Sequence, residues 1–319
     1  VARCLLKARP TSAQLADRLA PPMPDGLELY LALDDITEDG WLGRIRADWE
    51  RLDLPAGFVT IVEGPLRGLD GAYFDATSFS QENQALLQRL VIAGVSLHAD
   101  AVNIHAIAPT NEFPTDYETA NRLARQAALP LIRYYASICV THGLIPLVEN
   151  IPPVARMREN SWVYSTLGMS ADDLTWLCAR VRGLGVTLDT SHAGLYVNAA
   201  VGAGDETDHE LDPLVAALEQ TPEAGELRRI PDATDRLLWY ADALDGLVES
   251  VHVSNARGLT GEGLPYGEGD FDLDRVTQHL ARKASWLVTE TLEPDHDRAT
   301  LMRDAQSRVI RVLAGMADG

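Results

Sequence analysis

Cysteine is scarce: Cys4, Cys139 and Cys178 are the three in 319 residues. Their unrelated spacings make neither a disulfide framework nor a Cys-x-x-Cys metal clip, so each is expected to be a small core residue. Positive charge is also short, with 27 Lys and Arg against 47 Asp and Glu and a formal charge of −20. Such a surface repels phosphate polyanions at long range, which weighs against nucleic acid as a partner. No apolar run reaches the roughly 18 residues a membrane helix needs. The opening VARCLLKARP is too short and too charged for a signal peptide. The expectation from these shortages is a soluble cytoplasmic protein without a membrane partner.

What the chain does have is a core: 46% of its residues are hydrophobic and 23% charged, ordinary for a globular fold. Short β-branched runs alternate with longer amphipathic stretches. Arg3–Lys7, Leu27–Leu33, Phe58–Glu63, Ala101–Ile107, Ile145–Asn150, Val186–Asp189, Ser250–Ser254 and Trp286–Thr291 read as strands. Ala120, Leu123, Ala127, Leu131, Tyr134 and Ile138 predict a helix over about Asp116–His142, with a kink or break at Pro130. Leu86, Leu87, Leu90 and Val91 predict another over Gln81–Ala93. Eight such units fit either an open doubly wound sheet or a closed (β/α)8 barrel. The surplus over a barrel of about 250 residues falls at 196–240, Gly-, Asp- and Pro-rich at first and helical later, which reads as an elaborated βα loop. Composition does not shift along the chain, so residues 1–319 are expected to form one domain.

The chemistry collects where the later strands stop. IPLVEN ends in Glu149 and Asn150, GVTLDTSH carries Asp189 and His192, VESVHVSNARG carries His252, and SWLVTETLEP carries Glu290. In a parallel barrel all such ends share one face. Three carboxylates gathered there repel one another, and a divalent cation relieves that cost. Mostly oxygen ligands with one imidazole suit Mn²⁺, Mg²⁺ or Co²⁺, with Zn²⁺ also accommodated.

The segments VENIPPV, GVTLDTSHAGLY, VHVSNARG, GEGDFD and TETLEP, in this order, resemble the motifs of the xylose-isomerase-like TIM barrels. That superfamily holds sugar and sugar-phosphate isomerases and epimerases, inosose dehydratases and the endonuclease IV type of AP endonuclease. The resemblance implies a (β/α)8 barrel binding one divalent ion through Glu149, Asp189, His252 and Glu290. It also implies that Glu149 and Glu290 are the acid/base pair and that the substrate is a polyhydroxylated small molecule. His192 is then expected to bind a substrate hydroxyl or a second metal, and Arg257 a substrate oxygen or phosphate. Asn150 and Lys7 are further candidates for substrate contact.

Departures from the family pattern carry information too. Glu63-Gly64-Pro65-Leu66 stands where endonuclease-IV-like members have His-x-Pro-Tyr, and Gly263-Leu264-Pro265-Tyr266 offers no metal ligand. His105 alone keeps a position compatible with another zinc ligand, so a trinuclear zinc site is not expected. Asn255 replaces an Asp and cannot carry charge. GEGDFD lacks the Lys-Ser/Thr of a phosphate loop and reads as a turn, with Asp272 capping a helix over Asp272–Ala281. Trp162 and Tyr164 are placed to stack on a sugar ring. His98, His142, His209, His279 and His296 have no partner at ligand spacing. The leading expectation is a metal-dependent isomerase or epimerase. A dehydratase-type lyase, then a nuclease, then a non-catalytic binding protein are the alternatives, and a homo-oligomer is left open.

Overall fold

Eight aliphatic, β-branched runs become eight parallel strands: β1 (Arg3–Ala8), β2 (Gly26–Tyr30), β3 (Val59–Glu63), β4 (Ala101–His105), β5 (Ile145–Glu149), β6 (Gly185–Asp189), β7 (Val248–Val253) and β8 (Trp286–Thr289). The computed structural model describes residues 2–156, 162–203 and 209–317. Each strand pairs with the next and β8 returns to β1, so the sheet is a closed barrel with helices around it. Of the two layouts the alternation allows, the closed one is present.

Side chains alternate in and out along each strand, and the inward set is layered. Leu5, Val59, Ile61, Ala101, Leu147, Trp286 and Val288 form an apolar cluster of their own inside the barrel, separate from the core beneath the helices. Two residues further along the same strands the inward positions turn polar: Lys7, Glu63, Asn103, Glu149 and Glu290. The barrel is dry at its base and charged at its C-terminal mouth.

The helices rule out a break at Pro130 and fill in the elaborated βα loop. Tyr117–Thr141 is one helix that passes through Pro130 without breaking. Pro130 and Gln126, whose carbonyl loses its donor, both face solvent, where water can take the missing N–H's place. Residues 196–240 are mostly helical: the helix Thr190–Ala200 runs into them, and Asp212–Leu218, Pro222–Leu227 and Ala233–Ala243 follow. Asp272 caps the helix Leu273–Leu280 as expected, accepting from the N–H groups of Asp274 and Arg275. Cys4 and Cys139 are buried and Cys178 half-buried, all unpaired. Among the described residues no helix is long and apolar enough to cross a membrane.

Candidate metal centre and active site

Closure of the barrel brings together four of the residues singled out at strand ends. Glu149 ends β5, Asp189 ends β6, His252 is the penultimate residue of β7, and Glu290 follows β8. One ligand atom from each lies within 4.8 Å of the others. His252 Nδ1 stands 2.6 Å from Glu290 Oε2, 3.3 Å from Glu149 Oε1 and 3.8 Å from Asp189 Oδ2. Glu149, Asp189 and His252 are buried, whereas a third of the Glu290 side chain is exposed.

Local structure aims each group. Asp189 is the N-cap of the helix Thr190–Ala200: its Oδ1 accepts from the His192 N–H at 2.8 Å, leaving Oδ2 for the centre. Asn150 clamps the same residue, donating to the Asp189 carbonyl and accepting from its N–H at 2.7 Å. With both ends of its amide used on main chain, Asn150 acts as a strut for Asp189. Thr190 donates to the carbonyls of His252 and Ser254 and so fastens the end of β7. His252 Nε2 lies 2.8 Å from Glu28 Oε2, a carboxylate on β2 that can only accept. Nε2 therefore carries a proton, and Nδ1 is turned to the carboxylates.

Electrostatics separates these groups. Burial opposes ionisation of Glu149, yet His252 and, less strongly, Lys7 outweigh it and hold its carboxyl well below the usual range. Glu290 is likewise held low, against burial, by Lys7 and His252. Burial pushes Asp189 up to about 6, with Glu149 and Glu290 adding to it and His192 opposing. His252 is held protonated against burial by Glu28, Glu149 and Glu290.

These residues fit a divalent cation. His252 Nδ1 is buried and has no well-directed hydrogen bond among the described residues, although three carboxylates surround it. A cation would take the place of the proton on that nitrogen and offset the repulsion between the carboxylates.

The remaining candidates divide. His192 is buried with Nδ1 at 2.8 Å from the Asn150 carbonyl and Nε2 at 3.1 Å from Glu262 Oε1. Burial works against its protonation, but Asp189, Glu262 and Glu149 prevail and raise it to about 10. His192 is thus a cation at the edge of the centre with both nitrogens engaged. His105 is buried with Nε2 at 3.7 Å from both Glu63 and Glu149, and burial keeps it neutral. Lys7 reaches the centre, but its ammonium group is taken up by Glu290 at 3.0 Å and by close contact with Glu63. Arg257 is not brought in: it is exposed and forms no ion pair among the described residues. Tyr164 is buried edge-on against Phe113, and the Trp162 side chain lies outside the described residues.

Sequence reasoning missed Glu28, Asn103 and Glu262, and took Glu63 only as a departure. Asn103 donates to Glu149 at 2.7 Å and to Glu28 at 3.3 Å. The signal for Glu28 was a single carboxylate inside LELYLAL, which becomes fully buried. Glu262 sits one residue before the stretch inspected for ligands, on the strand Gly261–Leu264 that pairs antiparallel with Asn255–Arg257. Asn255 itself gains an account. It donates to the Phe271 carbonyl and accepts from the Ala256 and Phe271 N–H groups, pinning the GEGDFD turn. An Asp lacks the donor. The turn also needs Gly269, whose φ is +113° and where a Cβ would lie 2.5 Å from the Ala256 carbonyl oxygen.

A closed parallel barrel with this mouth matches a known family model, the xylose isomerase-like TIM barrel, over residues 57–311. The chain belongs to that family. Its fold is shared with solved structures of low identity. A D-tagatose 3-epimerase-like protein aligns over 99% of both chains at 13% identity with a TM-score of 0.64. An L-ribulose 3-epimerase aligns over 99% of this chain and 94% of its own at 14% identity, TM-score 0.58. An AP endonuclease, family 2, from Brucella melitensis aligns over 95% of this chain and 99% of its own at 12% identity, TM-score 0.58. No curated protein sequence matches. At these identities the likeness to solved structures establishes the fold.

Proposed function

We propose that this xylose isomerase-like barrel is a divalent-metal-dependent isomerase or epimerase of a sugar, sugar phosphate or polyol. The observation that carries the reading is the convergence of Glu149, Asp189, His252 and Glu290 within 4.8 Å, three carboxylates around the buried His252 Nδ1. The solved epimerases that share the fold support it. One Mn²⁺, Co²⁺, Mg²⁺ or Zn²⁺ held by these four would polarise a substrate carbonyl and stabilise the charge that develops on its oxygens.

The protein's own groups account for proton movement. Glu149 and Glu290 are both held ionised, so each can accept a proton from a carbon beside a polarised carbonyl. Glu290, the more open of the two, meets the substrate from the solvent side, and Glu149 from the barrel interior. Removal by one carboxylate, with delivery to the opposite face by the other once it has taken a proton from solvent, inverts a carbon, and return of the abstracted proton by the same carboxylate at the neighbouring carbon isomerises. Lys7 keeps Glu290 fixed, Asn103 keeps Glu149 fixed, and His192 offers positive charge at the edge of the centre.

The test is Glu290→Gln assayed on a panel of ketoses and aldoses in D₂O, beside elemental analysis of wild type and Glu149→Ala. Turnover and deuterium uptake at carbon should fall by about 10²–10⁴-fold in Glu290→Gln, with the circular dichroism spectrum unchanged. Wild type should carry about one equivalent of metal and Glu149→Ala should lose it. Unchanged activity would sink the two-carboxylate mechanism, and loss of water from the substrate would make the enzyme a lyase.

A further inference from the structure

The inner wall of the barrel changes character on one side. The apolar cluster at its base draws on β1, β3, β4, β5 and β8, and on neither β6 nor β7. Those two strands turn Asp189 and His252 toward the centre, so alternation puts Thr187 and Ser250, two residues earlier, on the same inner wall. Thr187 is paired in register with Glu149 on one side and with Ser250 on the other. A carboxylate and two hydroxyls thus come from neighbouring positions on β5, β6 and β7.

Thr187 and Ser250 are wholly buried, and neither hydroxyl has a hydrogen-bond partner among the described residues, not even the other. Asn103 reaches the interior from β4 and presents a third such atom. Its Nδ2 faces two carboxylates, Glu149 Oε2 at 2.7 Å and Glu28 Oε1 at 3.3 Å. Only the donor end of an amide can face acceptors, so Oδ1 is the end turned away. That oxygen is also wholly buried and has no partner among the described residues. Three such atoms are costly to leave unpaired, because each gave up water on folding. Two hydroxyls that donate or accept and one acceptor are the number and kind of partners a buried water takes. None of the three carries a formal charge, which suits a neutral ligand and not an ion.

We propose that an ordered water molecule is built into the barrel there, donating to Asn103 Oδ1 and bound by the Thr187 and Ser250 hydroxyls. It holds the Asn103 amide from behind while Nδ2 holds Glu149. Thr187 and Ser250 are then positioning residues for the carboxylate that works from the barrel interior. That positioning role rests on the function proposed above; the water site does not.

The test compares wild type with Thr187→Val, which keeps the shape and removes the hydroxyl, with Ser250→Ala, and with Thr187→Ser, which keeps a hydroxyl. Urea unfolding gives a sign. If the hydroxyls bind water, Thr187→Val and Ser250→Ala each strand the water's other partners, and the unfolding constant rises about 10-fold. If the hydroxyls are unpaired, the same changes remove a buried polar group with no bond to lose, and the constant stays level or falls. A high-resolution crystal structure of wild type should show an oxygen within hydrogen-bond distance of all three atoms, and that of Thr187→Val should not. Mn²⁺ calorimetry reads the positioning role. Affinity should fall several-fold in Thr187→Val, by less than the roughly 10–100-fold of a direct partner, and recover in Thr187→Ser. No oxygen at that place in the wild-type crystal overturns the water site, whether or not the variants fold. Unchanged Mn²⁺ affinity with the water lost overturns the positioning role alone. No Mn²⁺ binding by wild type removes the metal reading and that role with it, while the crystal and the urea series still decide the water site.

Discussion

Glu28 is the residue whose cost most needs an account, because a carboxylate in the middle of an apolar strand is expensive to bury unless hydrogen-bonded. Its partners are His252 and Asn103, so what it gains is the orientation of an imidazole ring. Glu28→Ala should lower Mn²⁺ affinity by about 10–100-fold, the size expected for a partner behind a metal-binding His. Glu28→Gln, which still accepts from Nε2–H, should lose less. Equal affinities in calorimetry would mean that packing alone orients the ring. Glu149, Asp189, His252 and Glu290 were legible in the sequence because each interrupts an apolar run at or near its end, where a barrel strand meets solvent. Glu28 and Asn103 were not, because a polar residue within a strand does not declare whether it faces the barrel interior or the helices. The direction of Arg257 was equally hidden, since it depends on the hairpin that follows β7.

Between elements, the helix Tyr117–Thr141 is fastened to the barrel by a polar contact as well as by its apolar face. The Tyr135 hydroxyl is fully buried and meets the Val102 carbonyl on β4 and the main chain of Leu147 on β5. Tyr135→Phe keeps the ring and leaves those groups short of a partner, which should cost about 1–3 kcal/mol. Chemical denaturation would show it, and an unchanged midpoint would mean that the strands satisfy each other without the hydroxyl. Strand positions could be read because alternation and β-branched runs mark them to within a few residues. Leu27–Leu33 proved shorter because Leu33 starts a helix, Leu33–Thr37. The later part of 196–240 read as helical, but where its helices begin and end was hidden, since Gly and Pro lie at their margins.

Over the whole molecule, charge sets a pH dependence apart from the centre. Glu223, on Pro222–Leu227, accepts from the Tyr196 hydroxyl and from the Asp172 N–H, tying that helix to two neighbours. Burial, with Asp173 adding to it, raises its carboxyl from 4.5 to about 6. The folded state therefore holds this proton more tightly than the unfolded chain. The stability it gives is complete below pH 4.5 and lost as pH rises through about 6. Glu223→Gln should be the more stable protein above that window, by at most about 2 kcal/mol, and lose the advantage below it. Parallel melts between pH 4 and 8 would decide; a difference independent of pH would place the ionisation elsewhere. The closed barrel was less legible than its parts, because eight βα units alone also describe an open sheet and only the family motifs chose between them.

The strand order has a consequence for how the protein is made. β1 to β4 supply Lys7, Glu28, Glu63, Asn103 and His105, and β5 to β8 bring the four groups that converge on the centre. A ribosome releases the supporting half first. Glu290, the last of the four, follows the strand that closes the barrel onto β1. Until β8 and Glu290 have emerged, the nascent protein holds carboxylates meant for burial with no finished cage to bury them in. Closure of the barrel and completion of the four-residue cage thus fall together in synthesis.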